Sequence, residues 1–149
     1  MLVLSLDTTT RFGSVALVDG KKLLAEVNYL SPSTHSRHVF EALEALSKIT
    51  EKKISEVDGL AVAAGPGSFT GIRIGLSLIK SLSLASGRPV AAVSALTALA
   101  RKLLCPEIKI IAPAIDARKG EIFACLYQAD RSELQEVIPA GAYEPEKFL

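Results

Sequence analysis

Gly65-Pro-Gly-Ser-Phe-Thr-Gly-Ile-Arg-Ile-Gly75 joins an almost wholly apolar run at 59–64 to a long helical pattern over Phe69–Ser86. A run with so few polar residues suits a central strand covered on both faces. A glycine-rich junction between such a strand and a helix offers backbone N–H groups to an anion, or lets a neighbouring backbone come close. The junction sets an α/β reading for the middle of the chain, and the flanking segments extend it.

Upstream, Leu2–Asp7 is a short apolar run ending in a carboxylate, and after a Thr-rich turn the segment 14–18 alternates toward a turn at Asp19-Gly20. That pattern predicts a hairpin, which 22–29 continues as a third antiparallel strand. Ser31-Pro32-Ser33-Thr34 supplies turn and N-cap chemistry for a helix running to Thr50. At 100° per residue Val39, Ala42, Leu43, Leu46 and Ile49 form one stripe, with Arg37, Glu41, Glu44 and Lys48 opposite. Downstream, 89–93 reads as a strand and 94–104 as a third helix capped by Ser94. Three strands, then helix, strand, helix, strand and helix predict an α/β lobe with a mixed five-stranded sheet.

The Phe69–Ser86 helix has two apolar aspects. Ile72, Ile74, Gly75, Leu78, Ile79, Leu82 and Ala85 form a broad face, and Arg73, Leu76, Ser77, Lys80 and Leu84 lie opposite. Single exposed apolar residues are ordinary, so one reading is a well-covered helix with incidental leucines. The other is that the second face packs on a partner helix with Arg73 and Lys80 at its rim.

Composition narrows the function classes. The chain has 149 residues, 49% of them hydrophobic, enough to bury a core. Seventeen Lys and Arg against 16 Asp and Glu leave a net charge of +1, which gives no basic excess for strong direct nucleic-acid binding. The amino terminus has no basic region and meets Asp7 too early for a signal peptide. Arg73, Lys80 and Arg101 interrupt the apolar stretches before the roughly 18–20 residues a membrane span needs. The expectation is a cytoplasmic protein without a membrane anchor. Cys105 and Cys125 form no CxxC motif and read as small hydrophobes.

The chain also echoes itself. Leu2–Asp7, a turn with Arg11 and Gly13, and the strand 14–18 are matched by 110–116 ending in Asp116, a turn with Arg118 and Gly120, and a strand at 121–127. A further strand follows at 134–138. The repeat suggests a duplicated fold. It places a first lobe at 1–107 and the opening strands of a second, incomplete lobe at 108–149, as in a truncated chain.

Asp7-Thr-Thr, the Gly65–Gly75 signature and Asp116-Ala-Arg-Lys-Gly-Glu121 together resemble the TsaB (YeaZ) family over the whole chain. The resemblance implies the duplicated actin/Hsp70/sugar-kinase fold, which is ribonuclease H-like. It also implies a noncatalytic subunit required by TsaD, the transferase that forms threonylcarbamoyladenosine in ANN-decoding tRNAs. TsaE and tRNA are then partners reached through TsaD, and a homodimer is expected when TsaD is absent.

Three chemistries are weighed against this. His35-Ser-Arg-His38 puts two imidazoles at i,i+3, but the family's old metallopeptidase labels rest on HxxxH and no further obvious ligand stands nearby. Both histidines are read as structural or interface groups, with no metal. Active members of the superfold hold phosphates and Mg²⁺ with an Asp-x-Gly turn after strand one and its copy. Here the carboxylates of Asp7 and Asp116 remain while that glycine is replaced, leaving Asp7, Thr8, Thr9 and Asp116 as vestigial phosphate contacts. The glycine loop lacks the Lys-Ser/Thr ending of a P-loop, and Pro66 removes a donor. Gly65, Pro66, Gly67, Ser68 and Gly71 are therefore read as a close-packing lead into the helix.

The expectation is thus no catalytic residue and a docking surface of His35, His38, Phe69, Arg73, Leu76, Ser77, Lys80 and Leu84. No cofactor is held firmly, with ATP or ADP and Mg open at an interface shared with TsaD. The alternatives are a small ATP-dependent phosphotransferase or ATPase and, less favoured, a metallopeptidase.

Overall fold

The computed structural model describes residues 1–31, 35–130 and 133–148. The chain divides into two compact units, one of Met1–Ala64 with Ser68–Val93 and one of Gly65–Gly67 with Ser94–Leu149.

In the first unit β1 (Leu2–Asp7), β2 (Phe12–Asp19) and β3 (Lys22–Leu30) form the antiparallel meander. Helix α1 (His35–Thr50) and a 3₁₀ turn at Ile54–Glu56 lead to β4 (Gly59–Ala63), and α2 (Phe69–Ser86) leads to β5 (Val90–Val93). The five strands stand in the order β3-β2-β1-β4-β5, with β4 parallel to both β1 and β5. This is the mixed five-stranded sheet expected from the order of elements.

The core follows from register. Leu4 faces Leu17 and Leu60, and Leu6 faces Val15 and Val62 on the neighbouring strands. Alternate residues share one face of a sheet, so these six side chains make one buried layer, and a one-residue slip would turn β1's leucines out of it. Helix α1 lays Val39, Ala42, Leu43 and Leu46 on this layer, and α2 adds Ile79. Ile49, expected in the α1 stripe, is 64% exposed. It lies at the margin of the stripe in the last helical turn, where a small offset carries a side chain past the sheet.

The first turn of α1 is fastened to the sheet by polar contacts. His35, 6% exposed, sets Nε2 2.7 Å from the carbonyl oxygen of Thr10 and Nδ1 3.3 Å from the Tyr29 hydroxyl. A carbonyl only accepts, so Nε2 carries the proton and Nδ1 accepts from the phenol. Burial first, and then the charge of Asp7, lift the Tyr29 pKa from 10.0 to about 12. The cap expected from Pro32, Ser33 and Thr34 lies outside the described residues.

Helix α2 is held at both ends. Ser68 caps it by accepting the Gly71 N–H at 3.2 Å, and Gly87 closes it in the left-handed region with its N–H on Ser83 oxygen at 2.8 Å. Its buried stripe is Gly71, Gly75 and Ile79, and Leu76 packs beside that stripe against the core. Leu76 was expected on the opposite, docking face. The glycines draw the helix onto the sheet along their own side, and Leu76, next to Gly75, turns inward with it.

In the second unit α3 (Ala95–Arg101) is followed by β6 (Ile110–Ile111), β7 (Ala114–Arg118), β8 (Glu121–Asp130), β9 (Glu133–Tyr143) and the short α4 (Pro145–Phe148). The long β8 pairs antiparallel with β6, β7 and β9. The run 110–116, expected as one strand, is split at Ala112-Pro113, where proline has no N–H for the ladder. Helix α3 ends at Arg101, short of residue 104, in turns that bond Lys102 to Leu99 and Leu103 to Ala100. Leu96 and Ala100 of α3 pack with Ile111, Cys125, Tyr127 and Ala129, and the Thr97 and Tyr127 hydroxyls meet at 2.8 Å. Helix α3 thus shares the core of the second unit.

Ile79→Ala should lower unfolding stability by about 2–5 kcal/mol and Ile49→Ala by less than about 0.5, read by urea denaturation. The Tyr29 phenol holds its proton to about pH 12, whereas in the unfolded chain it releases it near 10.0. Its contribution to stability is complete below pH 10 and declines as the pH rises through that window. Melting temperatures of Tyr29→Phe between pH 9 and 11 should fall less steeply than those of the unaltered chain.

Candidate functional site

Helices α1 and α2 cover the same face of the first unit's sheet, and a groove of about 600 Å³ runs between them. Val39 and Phe40 of α1 and Ile74, Leu78 and Leu82 of α2 give it carbon walls, while Ser36, Thr70, Ser77 and Ser81 place short hydroxyl side chains along it. Arg73 is the charged residue at its lining, and its guanidinium lies 3.8 Å above the centre of the Phe69 ring. That stacking holds the cation at one end of the groove over an exposed aromatic face. Phe40 is 60% exposed, a large apolar ring on the outer side of an otherwise charged helix.

The expected docking residues are spread unevenly around this groove. Arg73 and Ser77 line it and Phe69 joins through Arg73. His35 is buried beneath α1, and Leu76 is turned to the core. His38 rests its Nδ1 3.2 Å from the Glu41 carboxylate, and Arg37 donates to the same carboxylate at 2.8 Å. The Arg37 hydrogen bond, and then that of His38, hold the Glu41 carboxyl below its ordinary range. Lys80 and Leu84 are exposed, Leu84 strongly so, but neither lines the groove.

Phe40, Ile74 and Leu78 were missed as docking candidates. Phe40 falls outside the apolar stripe of α1, and the other two were placed on the broad core face of α2, where Leu78 does pack against the core while also lining the groove. The available signal was the Gly71–Gly75 pair, one turn apart. It marks the helix side that lies closest to the sheet and so puts the residues at 70, 74, 77 and 78 beside it.

The turn after β1 is tightly closed. The Asp7 carboxylate accepts from both the N–H and the hydroxyl of Thr9 at 2.7 Å, and the fully buried Thr8 hydroxyl donates to the Gly71 carbonyl at 2.7 Å. The Ser68 N–H donates to the Thr9 carbonyl at 2.5 Å. A hydroxyl has one proton, so in this arrangement Thr8 and Thr9 have already committed the donors a phosphate oxygen would need. In the second unit Asp116 makes the same local turn, accepting from the Arg118 N–H at 2.7 Å. In the first unit the hydroxyl protons of the turn are therefore already engaged inside the protein. In the glycine loop, Gly65 and Gly67 have φ of 109° and 154°, and the Gly65 carbonyl accepts from Ala95 N–H at 2.8 Å at the start of α3.

Among the described residues no group of three His, Cys, Asp or Glu is placed to hold a metal ion, and both ring nitrogens of His35 are engaged. Burial pushes up the Cys125 thiol and the Tyr127 phenol inside the second unit's core. Among the described residues no helix is long and apolar enough to cross a membrane.

Residues 29–149 match the family profile described as TsaD: tRNA N6-adenosine threonylcarbamoyltransferase. The chain is 34% identical over 140 residues to the tRNA threonylcarbamoyladenosine biosynthesis protein TsaB of Bacillus subtilis (strain 168), covering 93% of this chain and 60% of the relative. It is 32% identical over 134 residues to TsaB of Escherichia coli (strain K12), covering 89% and 57%. The chain thus spans less than two thirds of the length of these relatives. The solved structure of YeaZ from Pseudomonas aeruginosa superposes with a TM-score of 0.87 at 32% identity, over 97% of this chain and 68% of that one. The fold is therefore the actin-like α/β fold expected from the sequence resemblance, and the chain belongs to the TsaB (YeaZ) family of tRNA threonylcarbamoyladenosine biosynthesis proteins.

Proposed function

We propose that this chain is a noncatalytic subunit that docks on TsaD through the α1–α2 groove and supports threonylcarbamoyl transfer to ANN-decoding tRNAs in the cytoplasm. The observation that carries the reading is the groove, an apolar trough between two helices with Phe40 and the Phe69–Arg73 stack standing exposed beside it. Soluble proteins seldom expose contiguous apolar surface without a use for it. Two helices side by side accept another helix pair by ridge-in-groove packing, with the carbon walls at the centre and the hydroxyls and Arg73 toward the rim. The match to the TsaD profile and the TsaB relatives support that partner over others. TsaE and tRNA are engaged through TsaD, and without TsaD the same groove face closes a homodimer.

The proposed docking set is Phe40, Phe69, Arg73, Ile74, Ser77 and Leu78, with Lys80 and Leu84 outside its centre. Phe40→Asp should weaken TsaD binding at least tenfold in a calorimetric titration while the melting temperature moves by only a few degrees, since the ring is already exposed. Leu84→Asp should leave the affinity within about twofold. Unaltered binding by the Phe40 variant overturns the docking reading.

No nucleotide is expected to bind this chain firmly by itself, because the Thr8 and Thr9 donors are committed to Gly71 and Asp7. ATP with Mg²⁺ should give no saturable heat and no phosphate release. Turnover lost in Asp7→Ala would overturn this and restore the phosphotransferase reading.

A further inference from the structure

We propose that Thr8 is the positioning residue of the docking groove: its buried side chain fixes the register of α2 on the sheet and so sets where the α2 wall stands opposite α1. The inference rests on the docking reading above and adds to it the device that holds the surface in shape.

Thr8 has no exposed surface and follows directly on β1. Its hydroxyl donates to the Gly71 carbonyl at 2.7 Å. A Cβ at Gly71 would collide with the Thr8 carbonyl, and one at Gly75 would lie 2.5 Å from the Thr8 hydroxyl oxygen. Thr8 is thus keyed into a notch made by two glycines one helical turn apart. The Ser68 N–H on the Thr9 carbonyl pins the start of the same helix.

A slide of α2 by one residue moves every side chain about 1.5 Å along the axis and turns it by about 100°, which would put a Cβ where the notch must be empty. The residues that the key controls most directly are Thr70, Arg73, Ile74 and Ser77, which belong to the same two turns and line the groove. The contribution of Thr8 is therefore chemical as well as steric. Valine has nearly the same shape but lacks the proton given to Gly71, whose carbonyl still has its place in the helix ladder, so the fold survives the exchange.

The test uses the full chain with spin labels at positions 41 and 80 in a Cys105→Ser background, together with calorimetric titration of TsaD. Thr8→Val should shift or broaden the interhelical distance distribution and weaken TsaD binding at least fivefold. Thr8→Ser, which keeps the donor, should return both to within about twofold of the unaltered chain. Gly75→Ala should shift the distance in the same way, and Thr8→Ala should relieve that shift by removing the opposing oxygen. An unchanged distance in Thr8→Val overturns the proposal whatever the affinity does. A changed distance with unchanged affinity also overturns it, and the Phe40→Asp titration then separates the two failures: if Phe40→Asp still weakens binding, the docking surface stands and Thr8 does not position it, and if it does not, the docking reading itself has failed.

Discussion

The close approach of α2 to the end of β1 is the constraint on which the first unit depends. Gly71 brings helix backbone against the Thr8 carbonyl, and the Thr8 hydroxyl answers with a hydrogen bond to the Gly71 carbonyl. Only a residue without a side chain permits that contact. Once it is made, Ile79 two turns later falls onto the layer of Leu4, Leu6 and Val62, and Ser68 is placed to cap the helix. The Gly65–Gly75 stretch is therefore a packing device whose glycines act at separate points, two in the backbone turn and two in the helix.

The turn after β1 is closed by hydrogen bonds among its own residues and to α2. Asp7 closes on Thr9 much as Asp116 closes on Arg118, each accepting an N–H two residues ahead. Such turns are favoured by aspartate for local reasons, whatever lies beyond them. In the first unit the neighbouring threonines then spend their donors inside the protein, one on Asp7 and one on Gly71. The repeat seen in the sequence thus reflects a shared strand-turn-strand geometry, and the chemistry of each copy is set by what packs against it.

Much of the fold was legible because its signals are local. The meander showed in alternation and in Asp19-Gly20, β4 in its apolar run, and α2 in the helical pattern that follows the glycine loop. What was not legible depended on tertiary facing. Leu76 and Leu78 both pack against the core although they are two residues apart, and periodicity alone does not say how wide an arc of an apolar helix meets the sheet. Ile49 kept the spacing of a core residue, but it stands at the margin of the α1 stripe and is exposed. The break at Ala112-Pro113 was marked by the proline, whose missing N–H outweighs the hydrophobic run around it. In the candidate site the same limit applied: Arg73 and Ser77, singled out from polarity and position, line the groove with Phe69 stacked on Arg73, while Phe40 lies outside the apolar stripe of α1 and no periodicity marked it.

The composition of the groove fits a surface that is sometimes wet and sometimes covered. A wall of leucine and isoleucine alone would favour indiscriminate association, and a charged wall would carry a large desolvation penalty when closed. Serine and threonine on helices lie between these extremes. A serine on a helix can satisfy its donor on a carbonyl of the preceding turn, as Ser81 does with the Ser77 carbonyl at 2.9 Å. A hydroxyl bonded in that way loses no donor when covered, so in the proposed docking it takes little from the apolar area of Phe40, Ile74 and Leu78. Arg73 follows the same logic, since the Phe69 ring already shields one face of its guanidinium and leaves the edge N–H groups for an acceptor at the rim. On the proposed docking reading, a surface whose hydroxyls are bonded within their own helix loses little hydrogen bonding when a partner helix covers it.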